Sequence, residues 1–258
     1  MIVVNGIHAL QPGHGRLFVA LGVFDGLHLG HLYMLRALAG AARRHGARPA
    51  VITFDHHPDE ILVGSAPPLL CDPQERLERL AAAGVEVTVV HHFDLATRMT
   101  PYDAFVRAIA ARVDLAGFLM TPESAFGFER GGTPGTVAAL GAELGFEVVV
   151  VPTLELDGRP IRSAEIRADI ATGDLAGAER LLGRPYAVVG RAVHRSDGTA
   201  IAFDMPVALP PPGTYHVVVS DAGPTPDPAE PAGLTITDGG ARLDRAARQK
   251  GSIRLTFA

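Results

Sequence analysis

The stretch Gly22-Val-Phe-Asp-Gly-Leu-His-Leu-Gly-His31 decides how this chain is read. Before it, Leu17–Val23 is a short apolar run of strand length. After it, over Gly30–His45, Leu32, Leu35, Leu38 and Ala42 recur at helical spacing. A helix start offers unpaired backbone N–H groups and a positive dipole end, both suited to an anion. Gly22, Gly26 and Gly30 let the backbone turn tightly and let a phosphate approach closely. His28 and His31, three apart, share a face of the first turn. Two imidazoles there can donate hydrogen bonds to phosphate oxygens and to the charge that builds as a bond to phosphorus breaks. Each feature has a plainer reading by itself: a histidine at a helix start often caps it, two at this spacing also suit a metal ion, and glycine turns are common. Strand, three glycines, His-x-Gly-His and helix in that order point to a phosphate site.

Outward from this loop, strands and helices alternate. Ala50–Phe54 reads as a strand, with Pro49 blocking a helix from upstream. Pro73–Ala83 reads as a helix stopped at Gly84, Val85–Val90 as a strand, and Pro101–Val113 as a helix opened by proline. Gly117–Met120 is a strand, Thr136–Leu144 a helix stopped at Gly145, and Glu147–Val151 a strand. Near-continuous Val/Ile/Leu strands between helices predict an α/β fold, a Rossmann-like doubly wound parallel sheet. Two helical segments follow, Ser163–Thr172 and Asp174–Leu182. From Tyr186 the texture turns to short β-type runs: Tyr186–Val193, Ala200–Leu209, Thr214–Ser220, Gly233–Thr237 and Ser252–Phe257. They predict a small antiparallel β-barrel-like or sandwich domain. Asp221–Pro231, rich in Pro, Ala, Asp and Glu, reads as a mobile loop. The predicted domains are residues 1–184 and 185–258.

The 258 residues carry a formal net charge of -5, so no global positive field draws in nucleic acid. A multiply phosphorylated substrate then needs a local basic site or a metal ion. The single cysteine, Cys71, excludes an intramolecular disulfide and reads as a small packing residue. Met1–Leu10 lacks the pattern of a signal peptide, and no apolar run reaches the ~18 residues of a membrane span. A cytoplasmic protein is expected, with oligomeric state open.

The loop resembles the HxGH motif of the nucleotidyltransferase superfamily. It most resembles the adenylyltransferase module of the prokaryotic bifunctional riboflavin kinase/FAD synthetase family, where the motif sits within GxFDGxHxGH. Gly22, Phe24, Asp25, Gly26, His28, Gly30 and His31 carry the match. Thr53-Phe-Asp-His-His-Pro58 looks like the family's TFxPHP, with Asp55 where Glu is usual and His56 where Pro is usual. Phe126-Gly127, Arg130 and Gly131 look like the end of its DFxFGxxRxG loop, although Glu123 and Ser124 depart from it. Ile161, Ser163, Ile166 and Arg167 sit where the family has ISSTxIR, and Gly183-Arg-Pro-Tyr186 matches its GRPY.

The resemblance implies transfer of AMP from ATP to the FMN phosphate, giving FAD and pyrophosphate, with Mg²⁺ accompanying ATP. It implies direct in-line attack, so positioning and charge stabilisation carry the rate. His28 and His31, with Ser163 and Arg167, would serve the ATP phosphates. Gly22, Val23, Phe24, Asp25, Gly26, Gly30 and Arg162 would complete the nucleotide side. Asp25 would orient the loop or reach the metal, and reads equally as a turn or cap residue. Phe54, His57 and Pro58 would line the acceptor side, beside the loop holding Phe126, Gly127 and Arg130. Metal ligands are not assigned. In Ile161-Arg162-Ser163-Ala164 one hydroxyl of ISST is kept, and Arg162 adds a charge. Two other readings stay open: a nucleotidyltransferase with a different phosphorylated acceptor, and a non-catalytic nucleotide- or flavin-binding homologue. Further on, Ala202-Phe-Asp-Met-Pro-Val-Ala208 stands where the family's kinase module has GFPTAN, without its Thr–Asn pair. The chain ends at Ala258, directly after its last expected strand, so the kinase C-terminus is expected to be missing and riboflavin kinase activity with it.

Overall fold

The computed structural model describes residues 1–195, 198–222, 229–244 and 251–258. By contacts the chain divides into two compact units: Met1–Pro67 with Pro73–Glu155, and Pro68–Asp72 with Leu156–Ala258.

The first unit is built on a six-stranded sheet. In chain order its elements are β1 Ile2–Asn5, β2 Arg16–Leu21, α1 Leu29–Arg44, β3 Arg48–Phe54, α2 Asp59–Leu62, α3 Pro73–Ala82, β4 Val87–His91, α4 Leu95–Arg98, α5 Tyr102–Ala110, β5 Asp114–Met120, α6 Pro134–Leu144 and β6 Glu147–Val150. All pairings are parallel, in the order β1-β4-β3-β2-β5-β6. From β2 the chain winds one way through β3 and β4, then returns to β2's other side for β5 and β6. The switch point therefore lies between β2 and β5, and ligands of such sheets bind at the carboxyl ends of the strands there.

Alternation sends successive side chains to opposite faces. Leu17, Val19, Ala50 and Ile52 join one core with Phe105, Ile109, Val137 and Leu140 of α5 and α6. Phe18, Ala20 and Val51 join another with Leu35, Leu38 and Ala41 of α1 and Leu80 of α3. The sheet is thus doubly wound, as the sequence predicts. Helix stops at Gly84 and Gly145 take left-handed backbone, φ 86° and 82°.

Several expectations need correction. Pro49 lies inside β3 rather than before it, near the strand's start, where a missing N–H costs least. Ile2–Asn5 forms an edge strand beside β4, a short run without the length that marks strands in sequence. Pro101 caps α5 from outside, and the helix closes at Ala110 rather than Val113.

The short segments β7 Glu155–Leu156 and β8 Arg159–Pro160 lead to α7 Ser163–Thr172 and α8 Leu175–Leu182 of the second unit. Asp174 caps α8 by accepting from Gly177 N at 2.8 Å. Arg159 reaches both carboxylate oxygens of Asp169 at 2.9 Å, bracing α7. Among the described residues, six antiparallel strands close a barrel: β9 Ala187–Arg195, β10 Gly198–Ala202, β11 Gly213–Asp221, β12 Glu230–Thr237, β13 Gly240–Leu243 and β14 Ser252–Phe257. Alternate residues such as Val217, Val219, Leu234, Ile253 and Leu255 fill its interior. The expected strand Ala200–Leu209 ends at Ala202. Pro206 has no N–H for a ladder, and the segment pairs instead with Leu69, through Leu69 N to Pro206 O and Ala208 N to Leu69 O. Gly240–Leu243 supplies a strand the sequence reading passed over. Of the expected loop Asp221–Pro231, residues 223–228 lie outside the described ones; Asp221 ends β11, and Glu230 and Pro231 begin β12.

The centre of the sheet has no spare room. Register slips by one residue between β2 and β5, bringing Phe18 opposite Gly117. A Cβ on Gly117 would stand 2.5 Å from the Phe18 ring and 2.6 Å from the Glu147 carbonyl oxygen. Gly117→Ala is therefore expected to destabilise the fold by about 1–3 kcal/mol. Urea unfolding checks this, and an unchanged midpoint would contradict it.

Candidate active site

The loop between β2 and α1 is strained and buried. Gly22 N continues the sheet to Ile52 O at 3.0 Å. Then Phe24 turns left-handed at φ 54°, Gly26 sits at φ 77° and Leu27 at φ 39°. Of the three glycines, only Gly26 takes the left-handed region; Gly22 and Gly30 do not. Phe24 and Leu27 bear it with bulky side chains, each almost wholly buried, so packing holds a conformation that costs of order 1–3 kcal/mol per residue. Asp25 is buried in this turn.

His28 is the N-cap of α1. Its Nδ1 accepts the His31 N–H at 3.2 Å, so the ring's proton sits on Nε2. The cap takes one of the helix's orphan N–H groups and leaves those of Leu29 and Gly30 at the first turn. His28 and His31 stack, ring centroids 3.7 Å apart at 17°, and His31 also packs on Phe24 at 5.1 Å. His28 is buried, and His31 is half-buried with its Nδ1 sealed from solvent and without a hydrogen-bond partner. Burial, and next the neighbouring His28, lower the pKa of His31 well below the ordinary 6.5. The pair expected at the mouth of the helix is thus one capping imidazole and one neutral imidazole stacked on it.

Two side chains from outside the motif hold the loop's far side. Thr53 Oγ1 donates to Val23 O at 3.0 Å. Arg76 of α3, buried, donates from Nη1 to Val23 O at 3.1 Å and from Nη2 to Phe54 O at 2.8 Å. Its guanidinium joins the end of β3 to the chain just past the end of the adjacent β2. The sequence reading missed Arg76, and nothing in a helical Glu-Arg pair distinguishes a buried arginine from a solvated one.

A cavity of about 760 Å³ opens at the carboxyl ends of β2, β3 and β5. It gathers Gly22, Val23, Phe54, His57, Pro58, Phe126, Gly127 and Arg130 of the expected site. Phe93, Arg98 and Glu123, not expected, line it too. His28 and His31 are not among its lining residues. The expected acceptor-side residues therefore share one cavity, which the Gly22–Val23 corner ties to the histidine loop. A second strained loop forms its other wall: Gly127 stands at φ 75°, Glu129 at 52° and Arg130 at 58°. At Gly127 a Cβ would meet the Tyr102 backbone N at 2.6 Å, so only glycine fits. Phe128 N donates to Thr100 O at 2.9 Å, tying this loop to the start of α5.

The remaining expected residues lie in the second unit. Arg162 is the N-cap position of α7, Ser163 its first residue and Arg167 lies one turn on. Arg167 Nε donates to Pro68 O at 2.8 Å. No helix of the described residues is long and apolar enough to cross a membrane.

A family model described as FAD synthetase matches residues 10–165. The bifunctional riboflavin kinase/FMN adenylyltransferase of Pseudomonas fluorescens is 30% identical over 195 residues, 75% of this chain and 63% of that protein. The protein of the same name from Escherichia coli K12 is 31% identical over 239 residues, 88% of this chain and 76% of the relative. The chain thus spans less than two thirds of the Pseudomonas relative's length. Among solved structures, the macrolide-efflux protein from Streptococcus pneumoniae superposes with a TM-score of 0.82 at 21% identity, covering 100% of this chain and 90% of that one. That likeness shows the fold. The family model spans the strained loop, the cavity and the start of α7, and with relatives at this identity it means that the chain belongs to the FAD synthetase family.

Proposed function

We propose that this protein is an FMN adenylyltransferase: it transfers AMP from MgATP to FMN and releases pyrophosphate. The observation that carries the reading is the capped, stacked His28/His31 pair at the start of α1, beside a cavity at the sheet's switch point. The match to the FAD synthetase model over residues 10–165 supports it. An FMN phosphate oxygen attacks the α-phosphorus of ATP, the bond from that phosphorus to the bridging oxygen breaks, and pyrophosphate leaves. His28 Nε2–H and the neutral His31 ring serve phosphate oxygens, with the amides of the first turn. Gly22, Val23, Phe24, Asp25, Gly26 and Gly30 shape this nucleotide side.

The apolar walls of the cavity, Phe54 and Phe126 among them, suit a flat flavin ring. His57, Pro58, Gly127 and Arg130 complete the acceptor side. Ser163, Arg162 and Arg167 bring a hydroxyl and positive charge to the triphosphate. We assign residues 1–184 to the nucleotidyltransferase module and 185–258 to a kinase-like β module. The family model's extension to residue 165, past Glu155, supports a boundary beyond the sheet. The net charge of -5 favours small-molecule substrates over nucleic acid, and ATP supply with a lone cysteine fits a cytoplasmic setting.

Purified protein given ATP, Mg²⁺ and FMN is expected to form FAD and pyrophosphate. A His28→Ala, His31→Ala variant is expected to lose roughly 10²–10³-fold in kcat for each donor removed. Failure of the unaltered chain to form FAD would defeat the reading.

The β module is proposed to lack riboflavin kinase activity, because Ala202–Ala208 holds no Thr–Asn pair. Riboflavin with ATP and Mg²⁺ is expected to yield no FMN by chromatography; FMN formation would contradict this.

The burial of His31 sets a sign for acid stability. Its folded pKa lies below the unfolded value, so under pH 6.5 the unfolded chain binds a proton that the folded one refuses. Stability is expected to fall as pH drops through and below 6.5, and to fall less in His31→Gln. Urea midpoints measured against pH check this, and parallel curves for the two proteins would refute it.

A further inference from the structure

We propose that Asp55, His56 and His92 form a binding site for a divalent transition-metal ion of the zinc class. The proposal is independent of the adenylyltransferase reading. Each of the three residues offers one ligand atom, and these atoms all lie within 4.8 Å of one another. His92 Nδ1 stands 2.6 Å from Asp55 Oδ2, and His56 Nδ1 stands 3.2 Å from Asp55 Oδ1. In a tetrahedral site with bonds of about 2.0–2.1 Å, ligand atoms stand about 3.3 Å apart. The His56–Asp55 spacing is already close to that. The His92 nitrogen faces the other oxygen, Oδ2, and that spacing needs to widen by under an ångström as an ion replaces the hydrogen bond, the carboxylate taking the ion through both oxygens or turning to offer one. The two rings lie edge to face, 6.0 Å between centroids at 83°, so their nitrogens converge on the carboxylate without stacking.

The scaffold fixes this arrangement. Phe54 and His91 are register partners at the ends of β3 and β4, so the next residue on each strand is Asp55 and His92. Asp55 N donates to His91 O at 3.2 Å. Asp55 Oδ1 accepts from the backbone N–H of His56 at 2.8 Å and of Phe93 at 3.3 Å. Such outer hydrogen bonds orient a ligating carboxylate. The side chains of His56 and His92 are 49% and 65% exposed, so an ion reaches them from solvent.

The donor set selects the ion. Two imidazoles and one carboxylate suit Zn²⁺, Co²⁺ or Ni²⁺, whereas Mg²⁺ prefers all-oxygen ligands. Three protein ligands leave a further position for water or an anionic oxygen. The neighbours Phe54 and Phe93 line the cavity and pack edge to face at 5.3 Å. A bound ion would therefore pin the ends of β3 and β4 together at the cavity wall. The plain alternative is a pair of surface ion contacts, worth little and binding nothing.

The test uses the full chain, free of affinity tag and stripped of metal, titrated with Zn²⁺ and separately with Mg²⁺ by calorimetry. One Zn²⁺ per chain is expected, with no matching Mg²⁺ uptake, and Co²⁺ is expected to give visible absorption bands. His56→Ala and His92→Ala are each expected to weaken Zn²⁺ binding by roughly a hundredfold, with Asp55→Asn as a third variant. Unchanged circular dichroism establishes that the variants fold. No Zn²⁺ uptake, or uptake unchanged in the double histidine variant, would overturn the site. Because the readout is binding, a protein that makes no FAD leaves this test intact, and the reverse holds.

Discussion

The hydrogen bond from His31 N–H to His28 Nδ1 is the constraint on which the loop depends. It ends the irregular backbone and starts α1. It also fixes which nitrogen of His28 keeps its proton, and it brings the two rings into a stack. With His31 stacked and its Nδ1 sealed, a charged form there has no water to stabilise it. In the proposed reading, the His28 Nε2–H, the neutral His31 ring and backbone amides are what an anion meets. The left-handed Phe24 and Leu27 are the strain borne for that arrangement, and their burial in the core beside α1 is what sustains it.

The sheet determines where this loop stands. Winding from β2 outward on both sides places the loop at a switch point, where the helices that follow neighbouring strands diverge and leave a crevice. Arg76 keeps that crevice in shape from below. One buried guanidinium holds the last carbonyl of β3 and the Val23 carbonyl just past β2, where an unmet carbonyl is costly. Strain recurs in the facing loop, where Gly127, Glu129 and Arg130 all turn left-handed. The proposed in-line transfer would rest on such packed loops to hold its substrates.

Much of this was legible in the sequence because the relevant signals are local. The apolar run before Gly22 and the leucine spacing after it gave the strand and helix, and glycine stops at Gly84 and Gly145 gave helix ends. Short β-type runs after Tyr186 gave the barrel. What stayed hidden depends on partners distant in sequence. Ile2–Asn5 is a strand only because β4 lies beside it. Residues 203–209 carry strand-like composition, yet Pro206 and the pairing with Leu69 take them out of the barrel ladder. Arg76 looks like any helix-surface cation until its two carbonyls are seen. At the candidate site, the histidine pair and the Thr53–Pro58 segment that reaches the cavity were visible from residue types. The split between a capping imidazole and one stacked on it was not, because it rests on ring packing.

One topological detail bears on how the gene can be cut. Pro68–Asp72 lies early in the chain but belongs to the second unit, where Leu69 bridges to Val207. The ribosome makes this segment long before its pairing partner emerges. A fragment beginning at Leu156 would lack it, leaving the main-chain groups of Pro206 and Ala208 that face Leu69 to water. A single scission therefore yields no complete second unit, and evolution by swapping whole modules would have to carry this five-residue thread across with the barrel.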